Sequence, residues 1–180
     1  MDNKFNTYYR ILSSRASWHA YNGGMYFVTI CTKDRVHYFG EIVNGEMKLT
    51  EIGQCLQEQI IETPIIRVHM NIEIPLYVIM PNHVHLIVLI NENQFNCRDA
   101  MHCVSTVEKS NRFGPQSNNL ASVIRGIKIS TTKFARHNNI PFAWQPRFYD
   151  HIIRKTDDMN RIAEYIENNV LRWELDELYG

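Results

Sequence analysis

The most specific chemical pattern in this sequence is a pair of histidines separated by one valine, His83-Val84-His85. The pair opens an apolar run that is typical of a strand, and alternate side chains of a strand point to the same face of its sheet. Two neutral imidazoles held side by side can chelate a divalent metal ion. Histidine pairs also occur on ordinary half-buried strands, so the pattern alone leaves a metal site and a structural role both open.

The last predicted helix carries a second candidate group, a tyrosine and an asparagine four residues apart. The helix begins at Thr156-Asp157-Asp158, which offers capping oxygens and a negative first turn. Tyr165 and Asn169 lie at the margin of its apolar stripe, so both are expected to face the groove between helix and sheet. A tyrosine that packs its ring on the core is the alternative. Arg161 and Arg172 share the outer side of this margin, where they could meet phosphate. The stripe itself consists of Met159, Ile162, Ala163, Ile166, Val170 and Trp173.

Positive charge is concentrated in one segment, although the whole chain is balanced with 19 basic and 19 acidic residues. Taken alone, the zero net charge argues against a nucleic-acid partner. Residues 119–155, however, carry seven basic side chains and one acidic one. A helix predicted from Leu120 to about His137 has an apolar stripe on one side and basic residues on the other. This block favours a local anionic partner, with a solvated helix face as the alternative.

The elements that must position these groups follow from turn residues and apolar spacing. A strand is followed by a hairpin turning at Asn44-Gly45, a helix, two strands, a polar loop, the basic helix, a strand and the final helix. This order predicts an α+β fold in which helices pack on one antiparallel sheet. The ranges before the final helix are 25–32, 39–50, 51–62, 76–80, 84–90, 91–118, 120–137 and 148–154.

The length and composition fit one folded domain. The chain has 180 residues, of which 44% are hydrophobic and 21% charged, and these values exclude a disordered or collagen-like polymer. We expect a single domain over 23–180 after an N-terminal segment over 1–22, with a flexible loop near 91–118. No apolar run reaches the roughly 18 residues of a membrane helix, and the N-terminus lacks a signal-peptide core. The four cysteines form no CxxC pair, so the sequence predicts a cytoplasmic protein with reduced thiols.

Four blocks of the sequence, in order, resemble the HUH single-strand DNA transposases, whose motif is two histidines around a hydrophobic residue. More closely, the chain resembles the REP-associated tyrosine transposases, domesticated relatives of the smallest bacterial insertion-sequence transposases. The resemblance extends over roughly residues 8–175, and four blocks are far more specific than the histidine pair. These blocks are Tyr26–Thr32, Val78–His85, Trp144–Arg154 and Tyr165–Val170.

The resemblance implies a ferredoxin-like (RRM-like) antiparallel sheet packed with helices, with the nucleophilic tyrosine on the C-terminal helix. Carried over by position, it makes Tyr165 the nucleophile and gives a divalent metal, Mg²⁺ or Mn²⁺, the ligands His83, His85 and Asn169. The implied reaction cleaves and rejoins single-stranded DNA next to hairpins through a 5′-phosphotyrosine. The family often has proline where this chain has Val170, so the end of the helix is expected to differ.

The same resemblance implies single-stranded or hairpin DNA as the partner, no small-molecule cofactor, and a monomer or a homodimer. The aromatic residues Trp18, Tyr21 and Trp144 could stack on unpaired bases or belong to the core. Tyr149 lies in a predicted strand and lacks the amide four residues on, so it is not expected to be the nucleophile. A catalytically idle hairpin DNA- or RNA-binding module and a small metal-dependent hydrolase are the alternatives. The cations expected to contact DNA are Arg10, Arg15, Arg125, Lys128, Lys133, Arg136, Arg161 and Arg172.

Overall fold

The computed structural model describes residues 23–91 and 118–179. The N-terminal segment expected over 1–22 lies outside the described residues, and so do its Arg10, Arg15, Trp18 and Tyr21. Most of the predicted loop, residues 92–117, also lies outside them. The predictions made for these two segments therefore stay predictions.

The described chain forms six strands and three α-helices in the predicted order. The strands are β1 (Gly24–Cys31), β2 (Gly40–Val43), β3 (Glu46–Leu49), β4 (Ile72–Ile79), β5 (His83–Ile90) and β6 (Tyr149–Ile153). The helices are α1 (Glu51–Ile66), α2 (Leu120–His137) and α3 (Thr156–Asn168). Within these described ranges, none of the helices combines the length and apolar character needed to cross a membrane.

The main sheet is antiparallel and has the strand order β4-β5-β1-β6, while β2 and β3 pair as a separate hairpin. α1 connects β1 to β4 and α2 precedes β6 after β5, so each connection passes over one intervening strand. Two interlocked β-α-β units of this kind make the ferredoxin-like arrangement. The prediction of an α+β, ferredoxin-like fold is confirmed.

Strict alternation along β1 and β5 gives the sheet two different faces. Tyr26, Val28 and Ile30 of β1 join the even-numbered residues 84–90 of β5 in a core against α1 and α2. The odd-numbered residues point the other way, where Phe27 and Ile87 pack against α3. The two histidines of β5 both have odd numbers, so they share one face, as the sequence predicts, and this is the face on which α3 packs.

The turn between β4 and β5 fixes where the histidine strand begins. The backbone N–H of Thr32 donates to the Asn82 carbonyl at 2.8 Å, and that of Phe39 donates to the Pro81 carbonyl at 3.0 Å. The Thr32 hydroxyl donates to the same Asn82 carbonyl at 2.9 Å. His83 therefore follows a turn that is held by two separate parts of the chain.

Candidate metal and nucleophile site

His83 and His85 lie side by side in the interior of the protein. Their exposed fractions are 0% and 3%, and their ring centroids are 4.5 Å apart. Across the sheet, His83 is opposite Cys31 and His85 is opposite Thr29. The sheet therefore presents both imidazoles to one pocket, which is the arrangement that two metal ligands require.

The hydrogen bonds of Asn82 define the protonation of His83. The Asn82 amide group donates to the Leu178 carbonyl at 2.9 Å, so its other atom, Oδ1, is an acceptor. Oδ1 lies 2.7 Å from Nδ1 of His83, so Nδ1 carries the proton. The Nε2 of His83 then has a lone pair, and it is buried without a hydrogen-bond partner. A buried lone pair without a donor fits a cation.

His85 is held at both ring nitrogens. Its Nδ1 lies 2.8 Å from the hydroxyl oxygen of Thr29, and its Nε2 lies 3.2 Å from the phenolic oxygen of Tyr165. The ring also stacks on Phe27 at a centroid distance of 5.2 Å. Thr29 and Phe27 thus set the position and plane of the imidazole beside the tyrosine.

Both histidines are neutral at physiological pH. Burial lowers the pKa of His83 to about 4, although the negative charge of Asp176 opposes this shift. Burial, and then the charge of His83, lower the pKa of His85 to about 3. A neutral imidazole keeps one ring nitrogen unprotonated, and that nitrogen can bind a metal near pH 7 without competition from a second proton.

Tyr165 extends from α3 over the histidine pair and is 43% exposed. Its hydroxyl donates to Oδ2 of Asp176 at 3.2 Å, and its ring meets Phe27 edge-to-face at 6.2 Å. Burial, followed by the charge and hydrogen bond of Asp176, raises the pKa of the phenol to about 12. The free side chain is therefore protonated, and its reaction as a nucleophile requires added positive charge.

Asp176 is the site residue that sequence reasoning missed. It follows a short 3₁₀ turn, Trp173–Leu175, and brings its carboxylate to the histidines. Ligand atoms of His83, His85 and Asp176 all lie within 4.8 Å of one another. Burial alone would raise the pKa of Asp176, but the Leu178 N–H, at 2.7 Å, and the Asn169 amide lower it. The carboxylate is therefore ionised and able to hold a cation.

Asn169 completes the pocket from the end of α3. The helix ends at Asn168, but Asn169 keeps a helical backbone and so retains its place one turn beyond Tyr165. Its amide nitrogen donates to Oδ2 of Asp176 at 2.8 Å. Its Oδ1 is buried without a hydrogen-bond partner, as Nε2 of His83 is. The donor set and these two orphaned acceptors fit a divalent cation.

The predicted cations of α2 lie on the other face of the sheet from this pocket. Arg125, Lys133 and Arg136 are exposed and line a groove of about 500 Å³. We call this feature the α2 groove; its lining residues are Ala121, Ile124, Arg125, Lys128, Ile129, Thr132, Lys133, Arg136, Arg147 and Phe148.

Lys128 contacts the protein backbone. Its Nζ donates to the carbonyls of Gln145 and Arg147 at 2.7 and 2.9 Å and lies 5.5 Å from the centroid of Trp144. Burial lowers its pKa to about 8. The indole N–H of Trp144 donates to the Lys128 carbonyl at 3.1 Å, and its ring packs on Phe39. Trp144 therefore belongs to the core, which was one of its two predicted roles.

The two arginines predicted near α3 have different surroundings. Arg161 is exposed and donates to Asp158 at 2.6 Å, while His151 contacts the other oxygen of that carboxylate at 2.7 Å. Hydrogen bonds from His151 and then Arg161 lower the pKa of Asp158. Arg172 is exposed in the turn after the helix. Contact of either arginine with phosphate stays a prediction.

Comparison with known proteins gives a family relationship. An uncharacterised protein of Haemophilus influenzae is 34% identical over 158 residues, which cover 87% of this chain and 85% of that protein. The chain belongs to the same family as this protein. No protein-family model matches the chain.

Two further findings relate the chain to transposases. A second H. influenzae protein, provisionally named a REP-associated tyrosine transposase, is 26% identical over 151 residues, 83% of this chain and 72% of that protein. A solved structure of a REP-associated tyrosine transposase bound to a REP hairpin matches with a TM-score of 0.58 and 22% identity. The match covers 92% of this chain and 77% of that chain. The predicted resemblance to the REP-associated tyrosine transposases is confirmed.

Proposed function

We propose that this protein is a metal-dependent enzyme that cleaves and rejoins single-stranded DNA next to hairpins, with Tyr165 as its nucleophile. The observation that carries the proposal is the position of the phenol. Its oxygen lies 3.2 Å from Nε2 of His85, in a pocket with two orphaned acceptor atoms. A phenol beside a cation site has the groups needed for attack on a phosphodiester.

His83, His85 and Asp176 would hold the cation, with Asn169 as the fourth side chain. When bound, a divalent ion polarises the oxygens of the scissile phosphate and lowers the cost of developing negative charge. Two imidazoles, a carboxylate and an amide suit Mn²⁺ and also accept Mg²⁺. Asn169 would contribute Oδ1, the atom that otherwise lacks a partner.

In the proposed reaction, the Tyr165 oxygen attacks the phosphorus and the bond from phosphorus to the 3′ oxygen breaks. The Asp176 carboxylate, which accepts the hydrogen bond of the phenol at 3.2 Å, orients the hydroxyl. The phenolic proton passes to water, while the departing oxygen gains a proton and becomes a 3′-hydroxyl. The product is a 5′-phosphotyrosine. A second 3′-hydroxyl can attack this ester and release the phenol, so rejoining needs no nucleotide cofactor.

The relatives support hairpin DNA as the substrate. The matching solved structure is of a REP-associated tyrosine transposase bound to a REP hairpin. In this chain the α2 groove has exposed Arg125, Lys133 and Arg136, and such cations hold phosphates. We therefore assign the duplex stem of the hairpin to the α2 groove.

A covalent trap tests the proposal. The protein is mixed with Mn²⁺ and a labelled hairpin oligonucleotide bearing the flanks found next to its own gene, and adducts are resolved on a denaturing gel. We expect an adduct with the wild-type protein and none with Tyr165→Phe. Tyr149→Phe is the matched control, because it removes the hydroxyl of a tyrosine on the same face, and its adduct should persist.

The outcomes distinguish the proposal from its alternatives. An adduct that still forms with Tyr165→Phe contradicts the assignment of Tyr165 as the nucleophile. Tight hairpin binding with no adduct under any metal supports the idle binding module. Repeated cleavage without a trapped link supports the metal-dependent hydrolase.

A further inference from the structure

The α2 groove and the histidine pocket lie on opposite faces of one sheet. α2 packs on the face that carries Val28 and Leu86, whereas His83 and His85 share the other face with α3. A hairpin stem in the α2 groove therefore cannot itself reach Tyr165. The strand that leaves the stem has to pass around an edge of the sheet.

The edge at β6 has a second cavity that meets the first. This cavity has a volume of about 240 Å³ and is lined by Thr29, Cys31 and the segment 145–149. Arg147 and Phe148 line both this cavity and the α2 groove. Because these two residues line both cavities, we take the cavities together as one path around the edge and call it the edge passage.

One wall of the edge passage adjoins the histidine pocket. Thr29 lines it, and the hydroxyl of Thr29 lies 2.8 Å from Nδ1 of His85. In the sheet, Thr29 is paired with His85 on one side and with Tyr149 on the other. Neighbouring strands are about 4.8 Å apart, so the backbones of Tyr149 and His85 are about 10 Å apart on the same face. At a stacked rise of about 3.4 Å, roughly three nucleotides span that distance.

The backbone of the segment 145–147, which lines the edge passage, is held in place by hydrogen bonds to Cys31 and Lys128. The N–H of Gln145 donates to the Cys31 carbonyl at 2.9 Å. Lys128 of α2 donates to the carbonyls of Gln145 and Arg147. Arg147 has a φ of 70°, which turns the chain sharply at the edge. This backbone presents an exposed Arg147 and, two residues later, a Tyr149 that is 56% exposed.

We propose that the edge passage binds the unpaired DNA strand between the hairpin stem and the scissile phosphate. Arg147 contacts a phosphate of this strand, and a base stacks on the ring of Tyr149. A cation followed by an exposed aromatic ring along a groove is the pattern by which proteins hold single strands. This inference rests on the proposed function, because it takes Tyr165 as the destination of the strand.

A binding experiment without metal tests the edge passage. Affinities are measured by fluorescence anisotropy in EDTA for a blunt hairpin and for the same hairpin with a single-stranded flank on either side. We expect the flank to add affinity to the wild-type protein. Tyr149→Ala should lower the affinity for the flanked hairpin by about 5- to 100-fold and leave the affinity for the blunt hairpin unchanged, whereas Tyr149→Phe should retain the gain from the flank. Arg147→Ala should also reduce the gain, whereas Lys155→Ala, at the opposite end of β6, should not.

The edge passage is overturned if Tyr149→Ala changes the affinity for the blunt and the flanked hairpin by the same factor. It is also overturned if the substitution changes neither affinity. A flank that adds nothing to the wild-type protein also overturns it. Circular dichroism of each variant shows that the fold is intact. The binding experiment does not require cleavage, so it is independent of the adduct experiment. If no adduct forms but Tyr149→Ala still weakens binding of the flanked hairpin, the proposed nucleophilic reaction is contradicted and the edge passage is not.

Discussion

At the scale of single residues, the pocket combines groups that the sequence makes visible with groups that it hides. The pair His83 and His85 could be predicted because a strand alternates, and Tyr165 and Asn169 because a helix repeats. Asp176 could not be predicted, since it stands between Glu174 and Glu177 in a stretch that resembles any solvated acidic segment. Only the 3₁₀ turn before it brings its carboxylate to the histidines.

Asp176 gives the first prediction at this scale. Asp176→Asn keeps the size of the side chain but removes its negative charge, so we expect the affinity for Mn²⁺ to fall roughly 10- to 100-fold. The measurement is isothermal titration of the metal-free protein with Mn²⁺ alone. Glu177→Gln removes the same charge from an exposed neighbour and should leave the affinity nearly unchanged.

Two results would contradict a ligand role for Asp176. Equal losses in Asp176→Asn and Glu177→Gln would show that only the charge of the segment matters. Unchanged Mn²⁺ affinity together with faster cleavage in Asp176→Asn would show that this carboxylate competes with the substrate phosphate for the pocket.

At the scale of secondary-structure elements, the differences from prediction come from prolines. The sequence predicts β4 from Leu76, but the strand begins at Ile72. Pro75 does not interrupt the strand, because it lies at an irregularity of an edge strand, where a missing N–H is tolerated. α1 was predicted to end at residue 62 but continues through Pro64 to Ile66. The elements that carry His83, His85 and Tyr165 contain no proline, and their predicted ranges differ little from the observed ones.

The contact of α1 with the segment before β2 gives a prediction at the element scale. A Cβ on Gly53 would lie 2.1 Å from the Phe39 carbonyl oxygen, a backbone atom that cannot move alone. Gly53→Ala should therefore destabilise the protein by about 1–3 kcal/mol, despite the better helix propensity of alanine. Urea unfolding measures this, and Gln54→Ala, on the exposed side of α1, is the control.

The same substitution should weaken the pocket, because Phe39 also donates to the Pro81 carbonyl in the turn before His83. We expect lower Mn²⁺ affinity in any Gly53→Ala protein that remains folded. A stability equal to that of Gln54→Ala would show that the helix shifts without strain, contrary to this account of the contact.

At the scale of the whole molecule, the basic α2 groove and the buried histidine pair lie on opposite faces of the sheet. The balanced total of 19 basic and 19 acidic residues hides the α2 groove, whose cations lie together. The zero net charge therefore hides a local basic surface, which the charge of each segment predicts better. Periodicity predicts which residues share a helix face, but it does not predict that Arg147 and Thr29 line one cavity, because this depends on the pairing of β1 with β6.

The buried histidines make the stability of the metal-free protein depend on pH. Their folded pKa values, about 4 and about 3, lie below the ordinary 6.5, so the unfolded chain binds more protons below pH 6.5. Stability is therefore full above pH 6.5 and declines as the pH falls toward these values. Between pH 7 and pH 5 we expect a loss of about 2 kcal/mol from each histidine.

Urea unfolding in EDTA at several pH values measures this dependence. The variant with both His83→Gln and His85→Gln should lose much less stability between pH 7 and pH 5 than the wild-type protein. An equal slope in the two proteins would assign the acid sensitivity to other groups.

The placement of the α2 groove and the histidine pocket on opposite faces has a consequence for the choice of cutting position. A stem seated on one face and a phosphodiester cut on the other are separated by the sheet and by the helix layer that packs on it. The protein body would then act as a ruler. The distance from the foot of a hairpin to the nick would be set by the width of the fold, and insertion of unpaired nucleotides into the flank would move the nick along the sequence by the same number.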